Sequence, residues 1–379
     1  MAEAFIVDAC RTARGRRKGT LSETHPIDLL VAPLKAIVER NQIDPLQVED
    51  LIVGCVTQTG EQGSDLARSA VLAAGWPVDV PGVTLNRFCS SGQQAVNFAA
   101  MAVQSGAQDL VLAGGVENMT RVPMGADMGP LPMSLMEKFD LVPQGLSAEM
   151  IVEKWGYTRQ QLDEYSLASQ QKAWKAIEEG RFKKSIVPIE VTHNGERKIF
   201  AKDEHVRPQS TLEGLMALTP SFKGDGVITA GNSSGIVDGA AAVLVASEQK
   251  VKELKLRPRA RVVSQAIVGS EPVIMLTGPI PATLKALKKA GLRIEDIDLI
   301  EINEAFAPVP LVTMQEIGMD PDKVNVNGGA IAFGHPLGAT GAMLIGILID
   351  ELERRNKRYG LATMCVGIGM GIATIIERV

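Results

Sequence analysis

Short apolar runs bounded by Gly, Asn and Asp alternate along the chain with longer stretches of helical apolar spacing. Val48-Glu49-Asp50-Leu51-Ile52-Val53-Gly54-Cys55 reads as an acidic approach to a buried strand, and Ile297-Asp298-Leu299-Ile300-Glu301-Ile302-Asn303 repeats that pattern near the C-terminus. Further matches keep the same order. A strand Val83-Thr84-Leu85-Asn86 leads into a loop with Cys89 and then a helix. Val324-Asn325-Val326-Asn327 reads as a strand leading into a Gly-rich loop with His335 and another helix. Asp109 to Gly115 pairs with Tyr359 to Cys365. The echo predicts two α/β halves, residues 1–117 with 237–257 and residues 258–379, and the alternation of strands and helices predicts mostly parallel sheets covered on both faces.

Residues 118–236 break this rhythm and read as an insertion. They hold a Pro/Met/Gly stretch from Val122 to Pro132 and a helix over Thr158 to Gly180, with Tyr165 and Trp174 on it. Excursions of this length in compact domains are commonly lids or binding loops, so the insertion is expected to face a substrate.

Composition narrows the function. The chain has 379 residues, with 39 Lys+Arg against 44 Asp+Glu for a net charge of −5, so no broad basic face is available to a nucleic acid. The four cysteines, Cys10, Cys55, Cys89 and Cys365, show no C-x-x-C spacing, which disfavours a disulfide framework or zinc site and suits a reducing compartment. The N-terminus carries Glu3 and Asp8 where a signal peptide needs basic residues. No apolar run reaches the roughly 18 residues of a membrane span, and Glu377-Arg378-Val379 is no peroxisomal signal. A soluble, cytoplasmic protein is expected, with no membrane or nucleic-acid partner.

The candidate chemistry lies in four loops. Cys89, in Asn86-Arg87-Phe88-Cys89-Ser90-Ser91-Gly92, precedes a helix with apolar Val96, Ala99, Ala100 and Val103. A helix N-terminus favours a thiolate, and Ser90 or Ser91 could cap that helix. A small buried core thiol is the alternative. His335, in Gly334-His335-Pro336-Leu337-Gly338, suits a base or a turn residue, with Pro336 at the first helical position. Cys365 precedes Val366-Gly367-Ile368-Gly369-Met370-Gly371, whose glycines leave N–H groups free to face an oxyanion. Asn303, in Asn303-Glu304-Ala305-Phe306, sits at the end of a strand, where a polar residue serves a site or a turn.

In this order, and over essentially the whole chain, these stretches resemble the thiolase family. The resemblance implies a five-layered α-β-α-β-α body of two duplicated halves, with an inserted loop domain that binds CoA. It implies a 3-ketoacyl-CoA thiolase. Cys89 would be the nucleophile, His335 its base, Asn303 the holder of an enolate-stabilising water, and Cys365 the acid and base for the second thiol; the N–H groups of Cys89 and Gly367 would hold the thioester oxyanion. Arg207 would lie by the adenine, Phe222 and Ala230 along pantetheine, and Ser234 on a pantetheine amide, although a surface charge and a turn residue describe Arg207 and Ser234 equally well. CoA enters as co-substrate, with no metal and no permanently bound cofactor. The family pattern further implies a homodimer or homotetramer, and a β-oxidation multienzyme partner is compatible with it. Condensing enzymes of carrier-protein substrates share the body but pair their Cys with two His or with His and Asn. Biosynthetic acetoacetyl-CoA thiolases carry His-Met where this chain has Pro143-Gln144, which favours degradation of bulkier or ring-bearing substrates. A biosynthetic thiolase and a catalytically silent lipid carrier are the alternatives.

Overall fold

The computed structural model describes residues 2–379. The first half runs β1 (Ala4–Thr12), β2 (Gly15–Arg16), α1 (Pro26–Arg40), β3 (Asp50–Gly54), α2 (Leu66–Ala73), β4 (Gly82–Leu85), α3 (Ser91–Ser105) and β5 (Leu110–Asn118). The intervening segment carries α4 (Met133–Met136), α5 (Gln144–Trp155), α6 (Arg159–Glu178), β6 (Ile186–Val187), β7 (Ile189–His193), β8 (Glu196–Phe200) and α7 (Leu212–Met216). The chain then returns through β9 (Val237–Ser247) and α8 (Glu248–Glu253). It continues with β10 (Ala260–Gly269), α9 (Pro279–Ala290), β11 (Leu299–Ile302), α10 (Pro308–Ile317), α11 (Ala330–Phe333), α12 (Leu337–Arg355), β12 (Tyr359–Val366) and β13 (Met370–Arg378).

The strands follow one path, β11-β12-β13-β10-β1-β9-β5-β3-β4. On one side β4, β3 and β5 are parallel, β9 runs antiparallel to β5, and β1, antiparallel to β9, runs with β5 again. On the other side β11 and β12 are parallel, β13 runs antiparallel to β12, and β10, antiparallel to β13, runs with β12 again. The two sides thus share one order, and β1 joins β10 at Phe5–Arg261 and Ile6–Ala260. The expectation of mostly parallel sheets is corrected: β13 follows β12 through a tight hairpin and β9 returns from the insertion, so neither arrives by the helical crossover that parallel neighbours require.

Side-chain alternation along the strands assigns the layers. On β5, Leu110 and Leu112 pack with Leu29, Leu34 and Ile37 of α1 and with Leu66 and Val71 of α2. Val111 and Ala113 face the opposite way, into a cluster holding Val96 and Ala99 of α3, Ile345 and Leu348 of α12, and Met364 and Ile372 of the other sheet. On the far side, Leu361 and Ile375 meet Ala286 and Leu287 of α9. Helices, sheet, α3 with α12, sheet and helices form five layers. From Leu337 to Ile349 α12 is buried on every face, as a helix between two sheets must be.

One expected strand is absent. Residues 324–327 make a single bridge, Ile300 to Val324, and then turn, because Asn325 adopts φ +44°. Its carboxamide bonds both the N–H (2.8 Å) and the carbonyl (2.9 Å) of Ile302, doing the work of a ladder residue. No described helix is long and apolar enough to cross a membrane.

Candidate active site

Cys89 sits on a tight elbow between β4 and α3. Asn86 folds back to accept the Phe88 N–H (2.8 Å) and donates to the Val56 carbonyl (2.9 Å), while Phe88 takes φ +45°. A left-handed non-glycine residue costs about 1–3 kcal/mol and persists only where its surroundings enforce it. Here Ser91 enforces it, donating to the Phe88 carbonyl (2.7 Å) and accepting the Arg87 N–H (2.8 Å). Neither Ser90 nor Ser91 caps the helix as expected, because both hydroxyls donate to elbow carbonyls instead. The thiol is buried.

Burial pushes the Cys89 thiol up to about 11; the Gln144 carboxamide, its own N–H and the Gly367 N–H pull it back down, and the Glu117 charge raises it. The helix terminus therefore does not make a resting thiolate, a correction to the expectation. Desolvation outweighs it, and the proton must leave during attack.

His335 is buried, with its N–H donating to the Gly235 carbonyl (3.0 Å). Its Nδ1 lies 2.6 Å from Thr340 Oγ1, and the Thr340 hydroxyl donates to the Pro336 carbonyl at 2.9 Å. With the single hydroxyl hydrogen committed there, Nδ1 is the donor and Nε2 keeps a free lone pair. Nε2 has no hydrogen-bond partner among the described residues. Burial, then the Arg14 charge, lower this imidazole to about 3, so it is neutral and able to accept a proton at pH 7. Pro336 occupies the cap position of α12 rather than the first helical position.

The two loops meet because α3 and α12 touch through backbone. A Cβ on Gly92 would collide with the Gly338 carbonyl, and one on Gly341 with the Gln93 N–H. Cys89 precedes Gly92, and His335 precedes Gly338, by the same three positions. Glu117 of β5 binds the far side, accepting from the N–H groups of Gly338 (2.9 Å), Val56 (2.9 Å) and Thr57 (3.1 Å).

Asn303 and Gly367 come from the other half. Asn303 is buried with both carboxamide atoms unpaired, as a side chain reserved for a water or ligand would be. Its loop is tied to residues 232–235: Ser234 N–H donates to the Ala305 carbonyl (2.9 Å), Ala307 N–H to the Asn232 carbonyl (2.9 Å), and Gly235 holds His335. The neighbouring Glu304 was not singled out in the sequence, although a carboxylate within an apolar stretch is a signal. It accepts from Tyr165 and Ser169 hydroxyls at 2.8 Å and from Asn325 and the Ile331 N–H at 3.0 Å, fastening this loop to α6 and α11. Gly367 follows β12, and a Cβ on it would stand 3.4 Å from the Phe88 ring. Cys365 is buried on β12, its thiol pushed up by burial and by the charge of Cys89.

The four residues matched to CoA lie on the intervening segment. Phe222 is 43 % exposed and packs edge-on against Phe306, with ring centroids 5.8 Å apart. Ala230 is exposed and Ser234 half-buried on the same loop. Arg207 is exposed and reaches α6 through its N–H on Gln170 (2.8 Å).

Residues 4–249 match the family described as thiolase, N-terminal domain, and residues 256–378 the thiolase, C-terminal domain. The chain is 46 % identical over 396 residues to the steroid 3-ketoacyl-CoA thiolase FadA6 of Mycobacterium tuberculosis, covering 100 % of this chain and 95 % of that one. It is 46 % identical over 389 residues to the 3-ketoacyl-CoA thiolase of Idiomarina loihiensis, covering 100 % of both. The Bacillus anthracis acetyl-CoA acetyltransferase structure superposes with a TM-score of 0.94 at 41 % identity, and human mitochondrial 3-ketoacyl-CoA thiolase with 0.92 at 39 %; each covers 100 % of this chain and 99 % of the other.

Proposed function

The chain belongs to the thiolase family, and from that premise we propose that it is a degradative 3-ketoacyl-CoA thiolase, an acetyl-CoA C-acyltransferase. It cleaves a 3-ketoacyl-CoA with a second CoA into acetyl-CoA and a shortened acyl-CoA. The observation that carries the reading is the joining of the Cys89 and His335 loops where α3 meets α12, with the lone pair of His335 Nε2 free.

In this reading the Cys89 sulfur attacks the keto carbon as its proton passes to His335 Nε2. The carbon–carbon bond breaks, and the acetyl-CoA enolate is stabilised by His335 and by a water on Asn303. Cys365 protonates that carbon, then takes the proton of the incoming CoA thiol, which attacks the acyl-Cys89 thioester. The N–H groups of Cys89 and Gly367 hold the oxyanion, and their lowering effect on the Cys89 thiol supports that placement. CoA lies along Phe222, Ala230 and Ser234 with its adenine by Arg207. Pro143 and Gln144, in place of the His-Met of short-chain biosynthetic enzymes, favour a bulkier acyl group. Assembly as at least a dimer is supported by β4, an edge strand bordered by exposed Val83, Phe98 and Met101.

A substrate panel tests the activity. CoA-dependent loss of the keto-enolate absorbance is expected with at least one short, medium, long or ring-bearing 3-ketoacyl-CoA, with the acyl adduct on Cys89 and none on Cys10 or Cys55. Silence across the panel would return the chain to the lipid-carrier reading.

A further inference from the structure

Glu117, fully buried near the end of β5, is a carboxylate that none of the steps above uses. Such a group is kept in an interior only where hydrogen bonds replace its water, and four N–H donors converge on this one. Its Oε1 accepts from the Thr57 N–H (3.1 Å) and the Gln62 carboxamide (2.8 Å), while its Oε2 accepts from the N–H groups of Val56 and Gly338, both at 2.9 Å. One oxygen thus joins two loops. From Val56 the bonds run on to the nucleophile: its carbonyl takes the Asn86 carboxamide (2.9 Å), whose oxygen accepts the Phe88 N–H (2.8 Å) of the elbow. From Gly338 they run to the base, because the first turn of α12 also carries Thr340, which holds His335 Nδ1 at 2.6 Å. That turn has no cap of its own, since Pro336 at the cap position makes no side-chain bond.

We propose that Glu117 is a positioning residue for the Cys89–His335 pair, its Oε2 serving as the common anchor that fixes the nucleophile elbow and the base loop relative to each other. The proposal rests on the thiolase reading for the step it serves, transfer of the Cys89 proton to His335; no bond is made or broken at Glu117 itself. The α3–α12 contact at Gly92 and Gly338 limits only how closely the two loops approach. A shared acceptor also limits how far they part. A carboxylate suits the place, because it satisfies an orphan N–H of α12 and its charge is favoured at a helix N-terminus. Its other oxygen keeps it from swinging towards one loop. Gln62, buried beside it, is locked in turn by donating to the Thr57 carbonyl (2.9 Å) and accepting the Asn118 N–H (2.7 Å).

The test asks whether Glu117 acts through the pair, using the intact chain without substrate. Iodoacetamide alkylation of Cys89 is followed by peptide mass spectrometry at about pH 8, just below the ordinary thiol range. The parent, His335→Gln, Glu117→Asp and the double variant form a cycle. With Glu117 in place, losing the imidazole base slows Cys89 at least about tenfold. Glu117→Asp keeps the charge but is one methylene too short to span Val56 and Gly338, so thiol and base are already uncoupled. Adding His335→Gln to it then slows Cys89 by less than about twofold. Glu117→Gln keeps the length but offers one acceptor oxygen to four donors; it shows the same loss of coupling and carries the test if the Asp variant does not fold. A role in stability alone changes both rates together and leaves the ratio at its parent value. That parent ratio in a folded Glu117 variant overturns the proposal, as does a His335→Gln chain whose Cys89 reacts at the parent rate. Failure of the thiolase reading is distinguishable, since it shows as absent turnover of every 3-ketoacyl-CoA with the coupling intact.

Discussion

At Cys89 burial and hydrogen bonding act in opposite directions, and burial wins: the thiol stands at about 11, so a base within reach is a requirement of any chemistry there. That makes the state of His335 decisive. Its Nε2 is free only because Nδ1 is held by Thr340, whose own hydrogen is taken by the Pro336 carbonyl. Thr340→Val should release the ring to either tautomer and lower kcat by about 10- to 100-fold, within the range general-base catalysis contributes, while Thr340→Ser restores it. Steady-state kinetics at saturating substrate check this; equal kcat for the Val variant and the parent would falsify the positioning role. Cys89 and His335 could be singled out from their neighbours in sequence. Thr340 could not, since a Thr in a Gly-rich helix start carries no signal until the helix turns it onto the imidazole.

At the scale of elements, the α3–α12 crossing is what sets the two loops side by side. A side chain on Gly341 would strike the backbone of Gln93, which cannot move without moving α3 and Cys89 with it. Gly341→Ala is therefore expected to cost about 1–3 kcal/mol of stability as overpacking, and to lower turnover of the protein that remains folded. Denaturant unfolding and active-site titration measure the two separately, and a variant with parental values in both would show that the helices can part without consequence. The strands beside this crossing were legible because apolar residues of alternating direction declare a buried strand. Residues 324–327 have the right composition and still fail to form one, since Asn325 satisfies the Ile302 backbone with its side chain at a left-handed φ. Periodicity does not reveal a carboxamide standing in for a ladder.

In the molecule as a whole, an imidazole buried in a five-layered body makes the fold sensitive to acid. His335 falls from 6.5 to about 3 on burial, so below pH 6.5 the unfolded chain binds a proton that the folded chain does not, and stability rises with pH across that window. Replacing it by Gln, which stays neutral, should flatten the pH dependence of the unfolding free energy by about 1.4 kcal/mol per pH unit between 6.5 and 4 relative to the parent. Parallel curves for parent and His335→Gln would show that the ring protonates without unfolding cost. The repeated order of motifs in the chain by itself determined the duplication, the class of fold and the family, because each motif is a local pattern of apolar period, glycine and one reactive side chain. Local pattern carries no strand direction, so only the tertiary structure decided that β9 runs against its neighbours β5 and β1, and β13 against its neighbours β12 and β10. It also decided what the sequence separates by hundreds of residues: the meeting of Gly92 with Gly338 and the arrival of Gly367 beside Phe88 of the nucleophile elbow. Burial depth follows from the same packing, and with it the protonation states on which the chemistry depends, since desolvation is set by everything that surrounds a group and not by its neighbours along the chain.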